Sequence, residues 1–162
     1  MNRNQVVLSV LLLAALPAAA QSFKDLKAQA QAQAQSQLAA KLGLPTTAPA
    51  TAKVYSLSPK DGDTVSSPVK VVFGLSGLGV SPPGRDVPAT GHHHLLIDQP
   101  SLDVTVPLPT QNSQIIHYDG GQTEALVTLK PGTHSLQLIV ADWKQQPVNP
   151  SLQSDTIKIT VK

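Results

Sequence analysis

The chain has 162 residues, 12 Lys and Arg against 10 Asp and Glu, and a formal net charge of +2, with a sequence pI near 9.0. Aromatics are only 3% of it and no basic patch is interleaved with them, which excludes nucleic acid as the expected partner. Cysteine is absent, so disulfides, thiolate metal sites, cysteine nucleophiles and a lipoprotein anchor are excluded together, and a metal would have to be held by imidazole, carboxylate or backbone.

Residues 1–20 read as an export signal. Arg3 supplies a positive start, Val6 to Leu16 an apolar stretch, and Ala18, Ala19 and Ala20 a small-residue cleavage site, so the mature chain is expected to begin at Gln21. The apolar stretch is about 11 residues against the ~20 that span a bilayer, so no transmembrane segment is expected after cleavage. The expected location is the periplasm or the cell envelope.

Residues 21–44 are expected to form an Ala/Gln-rich helix. Phe23 to Leu42 contains neither Gly nor Pro, and Gly43 and Pro45 then stop it. Phe23, Leu26, Ala30, Ala34, Leu38 and Leu42 make a narrow apolar stripe. Such a helix is either an exposed spacer or a docking element that orders against an envelope protein complex. Residues 45–53, PTTAPATAK, have the composition of a linker.

Residues 54–162 are expected to be the folded domain. Its β-rich runs are Val54 to Leu57, Val69 to Leu75, His93 to Ile97, Ile115 to Tyr118, Glu124 to Leu129, Ser135 to Val140 and Thr156 to Val161, with Pro, Gly, Asn and Asp between them. Short strands with regular turn signals indicate an all-β fold, an immunoglobulin-like antiparallel Greek-key β-sandwich. Alternation places Val69, Val71 and Phe73 on one face, Leu136, Leu138 and Val140 on another, and Ile157, Ile159 and Val161 on a third.

Within this domain the candidate site begins at His92, His93 and His94, three of only five histidines. A strand sends alternate side chains to opposite faces, so His92 and His94 lie on one face about 7 Å apart along the backbone, close enough to converge on one ion. If Leu95 and Ile97 face the core, His93 points inward; the opposite register also fits, since both sets contain apolar residues. His117, before the Asp119, Gly120, Gly121 turn, and His134, after the Pro131, Gly132 turn, stand at strand ends as third and fourth ligands. Taken singly, each is better explained as a surface or hydrogen-bonded histidine, and only jointly with the triplet do they read as ligands. The parity of His134 matches core residues, so it reaches an outer site only at an open end or beyond a bulge.

An all-imidazole set suits copper, with zinc as the alternative, and disfavours calcium and magnesium, which take oxygen donors. Asp98, Asp119 and Glu124 are near enough in sequence to accept the ligands' second N–H. The loop VSPPGRDVPATG, 80–91, carries Arg85, the only arginine beyond Arg3. It either pairs with Asp86 or steers a small anion toward a metal.

The segments SPKDGDTVSSPVKVVFGLSGLGV, TGHHHLLID and HYDGGQTEALVTLKPGTHSLQLIVAD resemble a bacterial envelope family known as domain of unknown function 4399, over residues 54–162. That family commonly carries two more histidines after its last Asp-containing strand, where this chain has Gln145 and Val148, so the resemblance gives that loop no metal role. In residue kinds and arrangement alone, the chain is also similar to copper superoxide dismutases. That similarity implies a copper-only enzyme in which His92, His94, His117 and His134 hold copper and Arg85 guides superoxide. An exported superoxide dismutase, an oxidoreductase protecting the envelope, is the expectation; a copper carrier or buffer without turnover, or a structural subunit of an envelope assembly, are its alternatives.

Overall fold

The computed structural model describes residues 23–28, 30–31, 34–35, 37–39, 41–99 and 102–162; the expected export signal lies outside them. The chain divides into two units between Leu38 and Ala39. In the first, the described residues are helical, and Phe23, Leu26 and Leu38 are exposed.

Among its described residues the second unit has nine strands: β1 (Lys53–Ser58), β2 (Thr64–Val65), β3 (Val69–Ser76), β4 (Gly79–Val80), β5 (Thr90–Ile97), β6 (Ile115–His117), β7 (Glu124–Val127), β8 (Gly132–Ala141) and β9 (Ile157–Val161). β1, β3 and β7 form an antiparallel three-stranded sheet in the order β1-β3-β7. The other six form a sheet in the order β2-β9-β8-β5-β4, with β6 also paired to β5. Most pairings are antiparallel, as expected. The exceptions are the parallel pairs β2 with β9 and β4 with β5, involving two-residue strands too short to show a periodic pattern.

Alternation explains the core between the sheets. Val69, Val71 and Phe73 of β3 meet His93's neighbours Leu95 and Ile97, together with Leu136, Leu138 and Val140 of β8 and Ile159 and Val161 of β9, in a single buried cluster. The second face of the six-stranded sheet is also covered. Leu96, Ile139 and Ala141 join Ile115 and Leu108, with Leu102 and Val104 partly buried against them. β5 and β8 are thereby buried on both faces, and every residue of β5 after Thr90 is buried.

The segment read as a linker is in part tied to this unit. Thr47 bridges Asn149, Ala48 N–H donates to the Asn149 carbonyl at 2.8 Å, and Thr46 N–H donates to Asp142 Oδ2 at 3.0 Å. Ala48 and Ala52 are buried. Small residues let the backbone approach closely, which composition alone reads as flexibility.

Gly91, the second residue of β5, packs closely against β8. A Cβ there would stand 2.6 Å from Val140 Cγ1 and 2.8 Å from the Ala141 carbonyl oxygen, so the strand before the histidines has to stay bare. Gly91→Ala is expected to cost about 1–3 kcal/mol of stability by overpacking, measured as a lowered urea midpoint at unchanged slope.

Candidate metal centre

β5 presents His92 and His94 on the outer face of the six-stranded sheet, the face that carries Leu96, while His93 turns inward with Leu95 and Ile97. This settles the register left open by sequence. Antiparallel pairing of β5 with β6 sets His94 directly opposite His117. Two histidines spaced by one residue and a third across the strand thus fall on a common patch.

The rings of His92, His94 and His117 form a near-equilateral triangle, with centroids 4.9 Å apart for His92–His94, 5.0 Å for His92–His117 and 4.9 Å for His94–His117. One ligand atom from each lies within 4.8 Å of the others. Three nitrogens bound to one ion at 2.0–2.1 Å stand about 3.3–3.6 Å apart at tetrahedral or trigonal angles, so the triangle has to contract by up to about 1.5 Å to close on a metal.

His92 and His94 have no exposed surface and His117 is partly exposed. Both ring nitrogens of His94 and Nδ1 of His92 are buried without a hydrogen bond. Burial pushes His94 down to about 3, helped by the neighbouring His92 and His117, and it lowers His92 as well. Gln145 opposes the shift at both rings, and Asp142 and Asp119 oppose it at His92, but burial outweighs them and favours the neutral ring, which is the form that binds a metal.

His93, between them in sequence, belongs to different surroundings. Its ring lies 5.1 Å from Phe73, which lies 4.8 Å from Tyr118. Burial lowers His93 to about 4; a backbone group of Gln122 opposes this, but neither ring nitrogen is in hydrogen-bond geometry. Tyr118, whose hydroxyl is also unpaired, is pushed up to about 12 by burial.

His134 is not brought to the cluster. It stands near the C-terminal end of β5, about 20 Å along the strand from His92 at ~3.3 Å per residue, where Asp98 follows Ile97. Its Nδ1 donates to Asp98 Oδ2 at 2.7 Å and its Nε2 to the Lys130 carbonyl at 2.9 Å. The Asp98 hydrogen bond and that carbonyl raise its pKa. Two acceptors for two ring nitrogens describe an imidazolium, which has no lone pair to give a metal. This also commits Asp98, read from sequence as a support for the ligands, to His134. Glu124, the second such candidate, pairs with Lys70 at 3.0 Å on the surface. Asp119 is near enough to His92 to favour its charged form.

Arg85 is exposed and makes no ion pair among the described residues, with Asp86 or otherwise. Its loop is held at the His92 end of the sheet, since Gly84 N–H donates to the Trp143 carbonyl at 3.0 Å.

Gln145, in the loop to which the family resemblance gave no metal role, touches the cluster. Its Oε1 accepts from His92 Nε2 at 2.9 Å and its Nε2 donates to His117 Nε2 at 3.1 Å. The turn that places it is built on Asp142, a buried carboxylate. Asp142 Oδ1 accepts from the Lys144 and Gln146 backbones, and its carbonyl accepts from Gln145 N–H at 2.9 Å. Sequence shows an Asp-initiated turn after a strand, but not which way the following side chain points.

Residues 71–162 match the family described as Domain of unknown function (DUF4399), and the chain belongs to that family. The match begins within β3 and includes all the clustered histidines, Gln145 and Arg85. No curated protein and no solved structure matches the chain.

Neutral buried imidazoles make the metal-free protein acid-sensitive. His93 and His94 titrate near 6.5 when unfolded and near 4 and 3 when folded, so below about pH 6.5 the unfolded chain binds more protons and stability falls as pH falls. Each contributes about 1.4 kcal/mol per pH unit until its folded value is reached. Chemical denaturation of metal-free protein between about pH 7 and 5 is expected to show this slope, and a flat profile would contradict it.

Proposed function

We propose that this member of the DUF4399 family binds a copper ion through His92, His94 and His117 and holds it as a carrier or buffer in the cell envelope. The observation that carries the proposal is the convergence of three imidazoles at a place where His94 has no hydrogen-bond partner on either nitrogen. A buried polar atom left unpaired costs about 1–3 kcal/mol, and a metal ion would satisfy it. The donor chemistry is neutral nitrogen, which suits copper or zinc; copper stands highest among the divalent ions in affinity for such ligands.

Burial supports retention over open access, because His92 and His94 are covered and only His117 and Gln145 reach partial exposure. A second reading, dismutation of superoxide to oxygen and hydrogen peroxide, is favoured by Arg85. It is an unpaired cation on a loop tied to Trp143, two residues before Gln145 in sequence, and positive charge there would attract a small anion. Bound copper would supply the one-electron chemistry; the chain's part is to hold the ligands and draw the anion in.

Export rests on the positive, apolar and small-residue sequence of residues 1–20. The exposed Phe23, Leu26 and Leu38 support docking of the N-terminal helix on an envelope partner. The crossing of the chain between sheets, from β3 to β5 and from β6 through β7 to β8, supports an immunoglobulin-like Greek-key sandwich.

Titration of the purified protein with Cu(II), followed by electron paramagnetic resonance, is expected to show stoichiometric uptake with coupling to imidazole nitrogens. His92→Ala with His94→Ala should abolish it, and His134→Ala should leave it intact. Unaltered uptake by the double variant would refute the site. Azide sensitivity of the spectrum together with superoxide consumption lost in Arg85→Ala would favour turnover; an inert spectrum without consumption would favour the carrier.

A further inference from the structure

We infer that Gln145 is the fourth donor of this centre, its side-chain oxygen completing the set made by His92, His94 and His117. The inference rests on the cluster being a metal centre. Among the residues that touch the triangle, Gln145 is a polar side chain bonded to two of its members at once.

The spacing matches a shared coordination sphere. Two donors at right angles on an ion with bonds of 2.0–2.1 Å stand about 2.9 Å apart, and Gln145 Oε1 is 2.9 Å from His92 Nε2. Binding through that nitrogen needs only the other neutral tautomer of His92, with the proton on Nδ1.

The backbone is held in place for this role. Gln145 has φ +69°, in the left-handed region that a residue with a Cβ rarely adopts. Asp142 and Leu108 over-determine it. Gln145 N–H donates to the Asp142 carbonyl at 2.9 Å, Leu108 N–H donates to the Gln145 carbonyl at 2.8 Å, and Asp142 Oδ1 secures the residues on either side of it in the turn. Strain kept at a position that aims one polar side chain into a cluster of imidazoles is characteristic of a functional site. A glutamine oxygen is also uncharged, so it leaves the buried donor set neutral, and it is an attested weak ligand of copper.

Cu(II) titration of the full chain under chelator competition tests this. Gln145→Ala is expected to lower the affinity about 10–100-fold, while the nitrogen coupling of the three imidazoles persists. Gln145→Glu, which keeps an oxygen donor of the same reach, should bind at least as tightly as wild type with a shifted copper spectrum. Equal or tighter binding by Gln145→Ala would show that the amide only competes with the metal for the rings, and would overturn the inference while leaving the metal centre standing. Loss of affinity in Gln145→Glu matching that in Gln145→Ala would overturn it too, by reducing Gln145 to a packing role. Absence of copper uptake by the wild type would overturn the metal centre and this inference together.

Discussion

Burial of β5 on both faces is the constraint on which the rest depends. Its inner face meets the three-stranded sheet and its outer face lies under the segment carrying Leu102, Val104 and Leu108. A strand in that position ordinarily carries a continuous apolar run. Here the apolar run is Leu95, Leu96 and Ile97, and the preceding residues are imidazoles with the same burial. Polar rings in such surroundings must find partners or stay unsatisfied. On the outer face His92 finds Gln145, while His94 stacks on His117 with both its ring nitrogens left unpaired.

The protein uses histidine in two electrostatic states, and position decides which. At the C-terminal end of β5, His134 sits beside Asp98 and the Lys130 carbonyl, which favour its charged form. Along the strand, desolvation dominates and the rings are kept neutral. A metal site requires neutral rings, a surface ion pair the charged one. Asp98 therefore takes His134 out of the ligand set more firmly than distance alone would.

The turn after β8 completes the outer face. Asp142 is buried, and its carboxylate is spent on backbone N–H groups from Thr46, Lys144 and Gln146. One carboxylate thereby ties the segment before β1 to the turn that aims Gln145 at the histidines. The same turn receives the Arg85 loop through Gly84 and Trp143. The clustered imidazoles, Gln145 and the Arg85 loop are thus organised around one end of β5.

Local pattern alone determined the β-rich character, the sheet faces of β3, β8 and β9, and the pairing of His92 with His94, because period-two alternation is a property of the strand itself. The same pattern named both His117 and His134, since both stand at strand ends, with His134 the weaker because its parity matches core residues. Only tertiary structure separated them: the β5–β6 register puts His117 opposite His94, and the Asp98 contact keeps His134 elsewhere. Which face of β5 meets the core was likewise undecided until the second sheet was in place, because both faces carry leucine or isoleucine. Gln145 could not be read as part of the site, because its direction comes from a turn assembled by residues distant in the chain, and glutamine carries no strong metal signal of its own. Spacing along a strand is local information; register between strands and the aim of a loop come from contacts among distant segments.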